Sequence, residues 1–311
     1  MSKRLQADLG IALCSALWGA TFVVVQESLS AASVFVFMAL RFLLAAAVLA
    51  AVYRAGIVRL QRAEVMAGAQ IGFFLFAGYA FQNAGLLHTT PSKAAFITGF
   101  GVVLVPLLMA AFWRHRISAW AAAGALIALG GLYFLTVPGG PGGFTQLNRG
   151  DVLAMACAVM FALHVIFIGV HTPRFSVAAL SFVQISACGI FSALAIPLFW
   201  AGGWEAPRLV WTQQLVFGVL LTAIGATAIA FTVQTWAQRY TTPNHTAILL
   251  TLEPAFAALT SFLYLGERLG GRAVAGAALI LMGILLSELK GPLRTAADSP
   301  APLTDGEDPP D

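Results

Sequence analysis

The chain has 311 residues, of which 59% are hydrophobic and only 10% are charged, and its mean hydropathy is +0.87. Soluble domains normally carry about 25% charged residues, so this composition excludes an ordinary soluble fold. It predicts an all-α polytopic membrane protein. The net charge of +4 does not indicate a nucleic-acid partner, because the basic residues fall in short loops between apolar runs.

Apolar runs of about 20 residues, each long enough to cross roughly 30 Å of hydrocarbon as a helix, recur along the chain. In chain order they are 9–26, 32–53, 64–87, 91–113, 118–137, 151–171, 175–200, 211–236, 242–265 and 270–289. We expect the first run to remain as a helix, because it lacks the cleavage site of a signal peptide. The three cysteines, inside runs, give neither a disulfide framework nor a metal spacing, and we expect no cofactor.

The loop charges predict the orientation. If successive loops alternate between the two sides, eleven Lys and Arg fall on the side of the termini and five on the other. Basic loop residues favour the cytoplasm. We therefore expect a bacterial-type inner membrane protein with both termini in the cytoplasm.

The sequence repeats across a Gly- and Pro-rich linker at 138–149. A shift of 152 residues aligns Gln82 with Gln234, and it pairs the glycines at 124 and 131 with those at 276 and 283; nearer the start a shift of 143 aligns Asp8 with Asp151. The predicted units are therefore 1–137, the linker, 150–289 and an acidic, disordered tail at 290–311. Because five spans is an odd number, the second copy enters from the opposite side, giving ten transmembrane helices as two inverted five-helix repeats.

Glu253 is the leading candidate for a functional residue, because it is an acidic residue within an otherwise apolar run. It lies near the centre of the run 242–265, where an acidic side chain costs about 2.5 to 3.5 kcal/mol. The next residue, Pro254, frees a backbone carbonyl beside the carboxyl group. The turn can carry a proton or contact a substrate, or it can hold helices together.

Several short motifs occur in order along the predicted spans: LWGATF at 17–22, Arg41-Phe42, TPSKAAFI at 90–97 with Pro106, Glu253-Pro254, and LGERL at 265–269. Together with the ten spans and the duplication, they resemble the EamA family of the drug/metabolite transporter superfamily. The resemblance covers about residues 8 to 289. It implies a ten-helix secondary transporter with a central cavity bounded by helices 1–4 and 6–9, and many members export amino acids or other small metabolites. After its fourth span the first repeat has WRHR at 113–116, whereas the second repeat has GER at 266–268. The acidic residue that follows this span in the motif therefore occurs in the second repeat alone.

Other polar residues within the spans are candidates for substrate binding or coupling. Arg41 can bind a substrate carboxylate. Alternatively, it can form a structural ion pair, for example with Glu253, or donate hydrogen bonds to the carbonyls of a broken helix. Gln82, Asn83 and Gln234 can recognise a polar metabolite or join helices by hydrogen bonds. His164 can relay protons or act as a neutral hydrogen-bonding residue.

The remaining candidates are aromatic, basic or proline residues. Trp18 and Tyr79 can form apolar walls of a cavity or pack between helices. Lys93 and His245, near the prolines that open two spans, can place charge at a cavity mouth or reach the membrane interface. Pro106 and Pro254 interrupt helix interiors and are candidate hinges.

Together these features predict a secondary active transporter, more specifically an exporter of small organic metabolites such as amino acids, driven by protons or by exchange. The alternatives are a multidrug or cationic-compound efflux carrier and a non-transporting membrane scaffold. An enzyme is not expected, because no catalytic motif is present. The expected partners are a small-molecule substrate, membrane lipids, protons and a second copy of the chain, but no nucleic acid.

Overall fold

The structure, a computed structural model, describes residues 1–57, 59–89, 91–114, 117–137, 148–265 and 270–289. Most of the predicted linker, the whole predicted tail, Thr90 and the exit motif at 266–269 lie outside the described residues. The described part is helical, apart from an isolated β-bridge between Ala32 and Leu209. This confirms the predicted all-α class for the part of the chain that the structure describes.

The helices of the described part follow one another with short connections. They are α1 (Lys3–Ala31), α2 (Val34–Val52), α3 (Arg54–Ile57), α4 (Arg62–Leu86), α5 (Pro91–Gly99), α6 (Gly101–Trp113), α7 (Ala119–Thr136), α8 (Arg149–His171), α9 (Val177–Ala201), α10 (Gln213–Ala223), α11 (Ala230–Ala237), α12 (Pro243–Leu250), α13 (Leu252–Leu265) and α14 (Gly271–Leu289). A π-helical segment (Ile224–Ile229) joins α10 to α11.

Polar side chains fix where several of these helices begin. The hydroxyls of Ser176 and Thr212 accept hydrogen bonds from backbone N–H groups three residues later, at 3.0 and 3.1 Å. Asn148 and Asp151 form a reciprocal capping box at the start of α8. These contacts satisfy N–H groups that have no partner within their own helix, so the sequence sets the helix starts locally.

Six helical stretches of the described part are long and apolar enough to cross a membrane: α2, α4, α7, α8, α9 and the continuous stretch Gln213–Ala237, which comprises α10, the π-helical segment and α11. A seventh candidate is α1, which is bent by 45° between Thr21 and Val24. They establish an integral membrane protein. Helical segments also lie in each of the ten predicted runs. Because some of these segments are short or interrupted, the count of ten spans stays a prediction.

Two of the predicted spans are interrupted at similar places. The run 91–113 is divided at Phe100 into α5 and α6, and the run 242–265 is divided at Thr251 into α12 and α13. The shift of 152 residues places Thr251 opposite Gly99, one residue from the first break. The two breaks therefore occupy nearly equivalent positions in the two predicted repeats.

Helices α7 and α14 pack closely through glycines. A Cβ atom on Gly124 would lie 2.6 Å from the carbonyl oxygen of Gly283, and one on Gly131 would lie 2.6 Å from that of Gly276. Only glycine permits this approach of two backbones, which is typical of helix pairs in membranes.

The other helices surround the middle of the molecule. α4 packs against α8 and α9, α2 packs against α9, and α1 packs against α11 and α13. Their apolar contacts leave an internal cavity instead of closing over the centre of the bundle.

The loop 202–212, between α9 and α10, crosses the turn between α1 and α2. The N–H of Val210 donates to the carbonyl of Ala31 at 2.8 Å, and the N–H of Ser33 donates to that of Arg208 at 2.9 Å. The loop therefore ties the two predicted halves together at one end of α2.

Replacing Glu205 in this loop with alanine should destabilise the protein by about 0.5–2 kcal/mol, the usual cost of losing a helix cap. Its carboxylate accepts hydrogen bonds from the N–H groups of Val34 and Phe35, at 2.8 and 3.3 Å, while the side chain of Ser33 makes no capping bond. The thermal unfolding midpoint in detergent should fall, whereas Glu27→Ala, at an exposed glutamate of α1, should leave it unchanged. Equal midpoints for the two variants would contradict the capping role.

Candidate functional site

A cavity of about 620 Å³ lies in the middle of the bundle. Small-molecule sites typically measure about 300–1,000 Å³. Both helix breaks contribute to its wall, the first through Gly99 and Gly101 and the second through Thr251 and Glu253. Interrupted helices at equivalent positions of two repeats are typical of the binding sites of secondary transporters. This cavity is therefore the candidate substrate site.

The structure brings most of the sequence-predicted residues to this cavity. Those that line it are Trp18, Arg41, Tyr79, Gln82, Asn83, His164, Gln234, Glu253 and Pro254. His245 and Pro106 are not among the lining residues. Lys93 lies in α5, but its side chain is outside the described part.

Glu253 lies in the first turn of α13, directly after the second break. Within the described part of the chain its carboxyl group has neither a hydrogen bond nor an ion pair, and the residue is partly exposed to the cavity. A carboxylate in the first turn gains about 0.3–1 kcal/mol from the helix dipole. This is less than the cost of about 2.5 to 3.5 kcal/mol at mid-membrane. Water, a proton or a bound cation must therefore supply the rest.

Arg41, by contrast, is bonded to protein groups through Nε and Nη2 and is only 3% exposed. Its guanidinium donates to the hydroxyl of Thr227 at 2.7 Å, to that of Tyr79 at 3.2 Å and to the carbonyl of Ala226 at 3.4 Å. Trp18 donates its indole N–H to the same carbonyl at 2.7 Å. Of the roles that the sequence left open for Arg41, these contacts favour hydrogen bonding to an irregular helix, here the π-helical segment.

His164 belongs to a buried chain of hydrogen bonds that fixes its tautomer. The hydroxyl of Thr235 donates to the carbonyl of Phe231 at 2.6 Å, so it must accept from the side-chain amide of Gln184 at 2.9 Å. The amide oxygen of Gln184 then faces Nε2 of His164 at 3.0 Å, and Nε2 must carry a hydrogen. In the neutral imidazole, Nδ1 is therefore an acceptor.

The three amides at the cavity make no side-chain hydrogen bond within the described residues. Gln82 is partly exposed, Asn83 is 2% exposed and Gln234 is 1% exposed. The Oε1 atom of Gln234 is buried without a partner. A buried amide oxygen without a hydrogen bond costs about 1–3 kcal/mol, which a ligand with an N–H or O–H group would recover.

Four aromatic rings form one wall of the cavity. Trp18 lies 5.1 Å from Phe231, and Tyr79 lies 5.3 Å from Phe161, measured between ring centroids. Tyr79 and Phe231 lie 6.4 Å apart. Sequence reasoning missed Phe161 and Phe231, although the shifts of 143 and 152 residues align them with Trp18 and Tyr79.

Two acidic residues at helix starts make contacts away from the cavity. Nε2 of His245 lies 3.1 Å from Oδ1 of Asp8, at ion-pair distance but without the geometry of a hydrogen bond. Thr89 donates to Oδ1 of Asp151 at 2.8 Å. These contacts join α12 to α1, and the end of α4 to α8.

The candidate hinges differ in position. Pro106 lies inside α6, as expected from the sequence. Pro254 lies in the first turn of α13 and not in a helix interior, because the helix has already broken at Thr251. A missing N–H is harmless in a first turn.

Replacing Thr235 with valine should lower the thermal unfolding midpoint. The side-chain amide of Gln184, a residue at 0% exposure, would lose the hydroxyl that accepts its hydrogen bond. The expected cost is about 1–3 kcal/mol. The matched control is Thr246→Val, since Thr246 is also at 0% exposure but its hydroxyl has no partner in the described structure. The control should be neutral or stabilising. Equal losses in the two variants would contradict the hydrogen-bond chain.

A bundle of apolar helices around a partly polar cavity, with broken helices in its wall, is typical of a membrane transporter. The chain belongs to the EamA-like transporter family, which matches residues 5–137 and 148–289. This agrees with the resemblance seen in the sequence, and it indicates a transporter and not an enzyme.

Known proteins similar to this chain lead to the same class. A protein of Archaeoglobus fulgidus described as an uncharacterized transporter is 34% identical over 288 residues, which cover 93% of this chain and 87% of that protein. A second uncharacterized transporter of the same organism is 23% identical over 217 residues, or 70% of this chain and 74% of the relative. A protein of known crystal structure is 23% identical in sequence to this chain. The two structures superpose with a TM-score of 0.76 over 91% of this chain and 96% of the other chain, which shows a shared fold.

Proposed function

We propose that the protein is a ten-helix secondary carrier that moves small organic metabolites, such as amino acids, by alternating access. The observation that carries this proposal is that two helix breaks, at equivalent positions of the predicted repeats, line one cavity with unpartnered polar groups. Broken helices leave backbone and side-chain groups free to bind a solute at mid-membrane.

Reciprocal contacts support the inverted repeat. If Gly124 corresponds to Gly276 and Gly131 to Gly283, a two-fold axis converts the contact 124–283 into the contact 276–131, and both are present. The aromatic wall behaves in the same way. The pairs Trp18–Phe231 and Phe161–Tyr79 exchange under the shifts of 143 and 152 residues. The separation of the family match into 5–137 and 148–289 agrees with the predicted units.

The contacts at the helix starts fit the same scheme. Asp8 and Asp151 are repeat counterparts, so an inverted repeat places them at opposite faces of the membrane. Asp8 joins α1 to α12 through His245, and Asp151 joins α8 to the end of α4 through Thr89. Both contacts are present in this structure, and we propose that each holds one end of the pathway closed and breaks when that end opens.

Glu253 is the proposed coupling residue. Because its carboxyl group has no partner in the described structure, it can bind a proton or a substrate as the cavity opens to each side. Export across a bacterial-type inner membrane, with both termini cytoplasmic, is the direction and location that the family resemblance and the loop charges favour.

The test is uptake of a panel of labelled amino acids and other metabolites into reconstituted proteoliposomes, with and without a pH gradient. Saturable flux that the gradient accelerates is expected for the native protein. In Glu253→Gln the acceleration should disappear, whereas Glu27→Gln, on an exposed part of α1, should behave like the native chain.

Two results would contradict the proposal. Flux that does not saturate would indicate a channel, and no flux of any solute would favour a membrane scaffold. Unchanged acceleration in Glu253→Gln would leave a carrier but remove Glu253 as its coupling residue.

A further inference from the structure

The amides of Gln82, Asn83 and Gln234 have no side-chain hydrogen bond among the described residues, and they offer donors as well as acceptors. The Oε1 atom of Gln234 is buried. Two further unpartnered groups at the cavity are acceptors only: the carboxylate of Glu253 and Nδ1 of His164, in the tautomer that the contact with Gln184 fixes. Acceptors of this kind are complementary to a ligand that carries N–H groups.

Protein groups already accept hydrogen bonds from Nε and Nη2 of the guanidinium at the cavity. Among the described residues that line the cavity, Arg41 is the only Lys or Arg. It makes three hydrogen bonds to Thr227, Tyr79 and Ala226, and its guanidinium carbon lies 4.8 Å from the ring centroid of Tyr79 and 5.3 Å from that of Phe42. A substrate carboxylate can reach this guanidinium only at Nη1 without displacing these partners, whereas a cation meets the carboxyl group of Glu253, which has no partner among the described residues.

The aromatic wall adds a second, independent feature. The rings of Trp18, Tyr79, Phe161 and Phe231 all line the cavity and pack at tilted or edge-to-face angles. Such rings can pack against the apolar body of a ligand, and their faces attract a positive charge. The wall therefore suits an organic cation better than a compact anion.

We propose that this cavity recognises the ammonium group of small organic amines with an apolar or aromatic body, and that it does not require a carboxylate on the substrate. The inference rests on the proposed carrier function and specifies its substrate class. The ammonium group binds the Glu253 carboxylate, and the apolar body lies against the aromatic wall. Amino acids bind through their ammonium end.

The test uses three compounds that share one aromatic body: 2-phenylethylamine, phenylalanine and 3-phenylpropionate. Isothermal titration with the detergent-purified chain should give the tightest binding for the amine. Phenylalanine should bind equally or more weakly, and phenylpropionate should bind at least about tenfold more weakly than the amine, because it lacks the charged donor. Flux of the same compounds is then measured in proteoliposomes.

Three variants check the residue assignment. Glu253→Gln should weaken amine binding at least about tenfold, Glu253→Asp should restore much of it, and Glu27→Gln, on an exposed part of α1, should leave it unchanged. Thermal unfolding of each variant separates loss of binding from loss of folding. If Glu253→Gln does not fold, the comparison of the three compounds on the native chain still decides the question.

The remaining outcomes separate the two proposals. If phenylpropionate binds as tightly as 2-phenylethylamine or more tightly, the amine specificity is overturned. That result would indicate that Arg41 binds the substrate carboxylate. Absence of binding by all three compounds would also overturn the amine specificity. In either case, saturable flux of another metabolite would leave the carrier function intact, whereas amine binding without any flux would support the site and contradict the carrier.

Discussion

Replacing Gly19 with alanine should abolish most transport and lower the thermal unfolding midpoint. A Cβ atom there would lie 2.5 Å from the carbonyl oxygen of Glu253 and 2.8 Å from the backbone nitrogen of Ala257. Both obstacles are backbone atoms of α13, so neither can rotate away and α1 and α13 must separate. The separation would displace the turn that carries the Glu253 carboxyl group.

The matched control is Gly130→Ala in α7, where an added Cβ atom would meet nothing within 4 Å. Alanine is more favourable than glycine inside a helix by about 0.8–1 kcal/mol, so this variant should be equally or more stable. Transport and unfolding are measured for both variants in the same preparation. Normal transport by Gly19→Ala would show that α1 and α13 separate freely at this point.

Arg41→Lys should lower both the thermal unfolding midpoint and transport, the latter by at least about tenfold. Lysine keeps the charge but lacks the planar fork that holds Thr227, Tyr79 and Ala226 together. Each hydrogen bond to a charged group contributes about 1.5–3 kcal/mol. Its partial loss should loosen the π-helical segment that Trp18 also contacts.

The measurement distinguishes two roles for Arg41. A positioning residue affects stability without any ligand present, whereas a residue that only contacts substrate affects binding and leaves the ligand-free midpoint unchanged. Arg59→Lys, at an exposed arginine before α4, is the control and should change neither quantity. An unchanged midpoint for Arg41→Lys would therefore favour the substrate-binding role that the sequence also allowed.

The sequence alone determined the protein class, because hydropathy depends on composition and run length and requires no tertiary information. The scarcity of charge predicted a membrane protein, and the motifs around Arg41 and Glu253 indicated the family that the match confirms. The sequence also predicted a repeat, since one shift of 152 residues aligns Gln82 with Gln234 and Gly124 with Gly276. Ionisable residues within apolar runs are costly, and this cost made Glu253 the leading candidate.

Only the tertiary structure decided which polar groups are satisfied. The sequence left a structural role open for both Arg41 and Glu253, but long-range contacts engage Arg41 and leave Glu253 without a partner among the described residues. The tautomer of His164 depends on Thr235, far along the chain. Hydropathy follows from residue type, whereas hydrogen bonding depends on which helices meet. The sequence therefore determined the membrane class, and helix packing determined which groups remain free to bind a substrate.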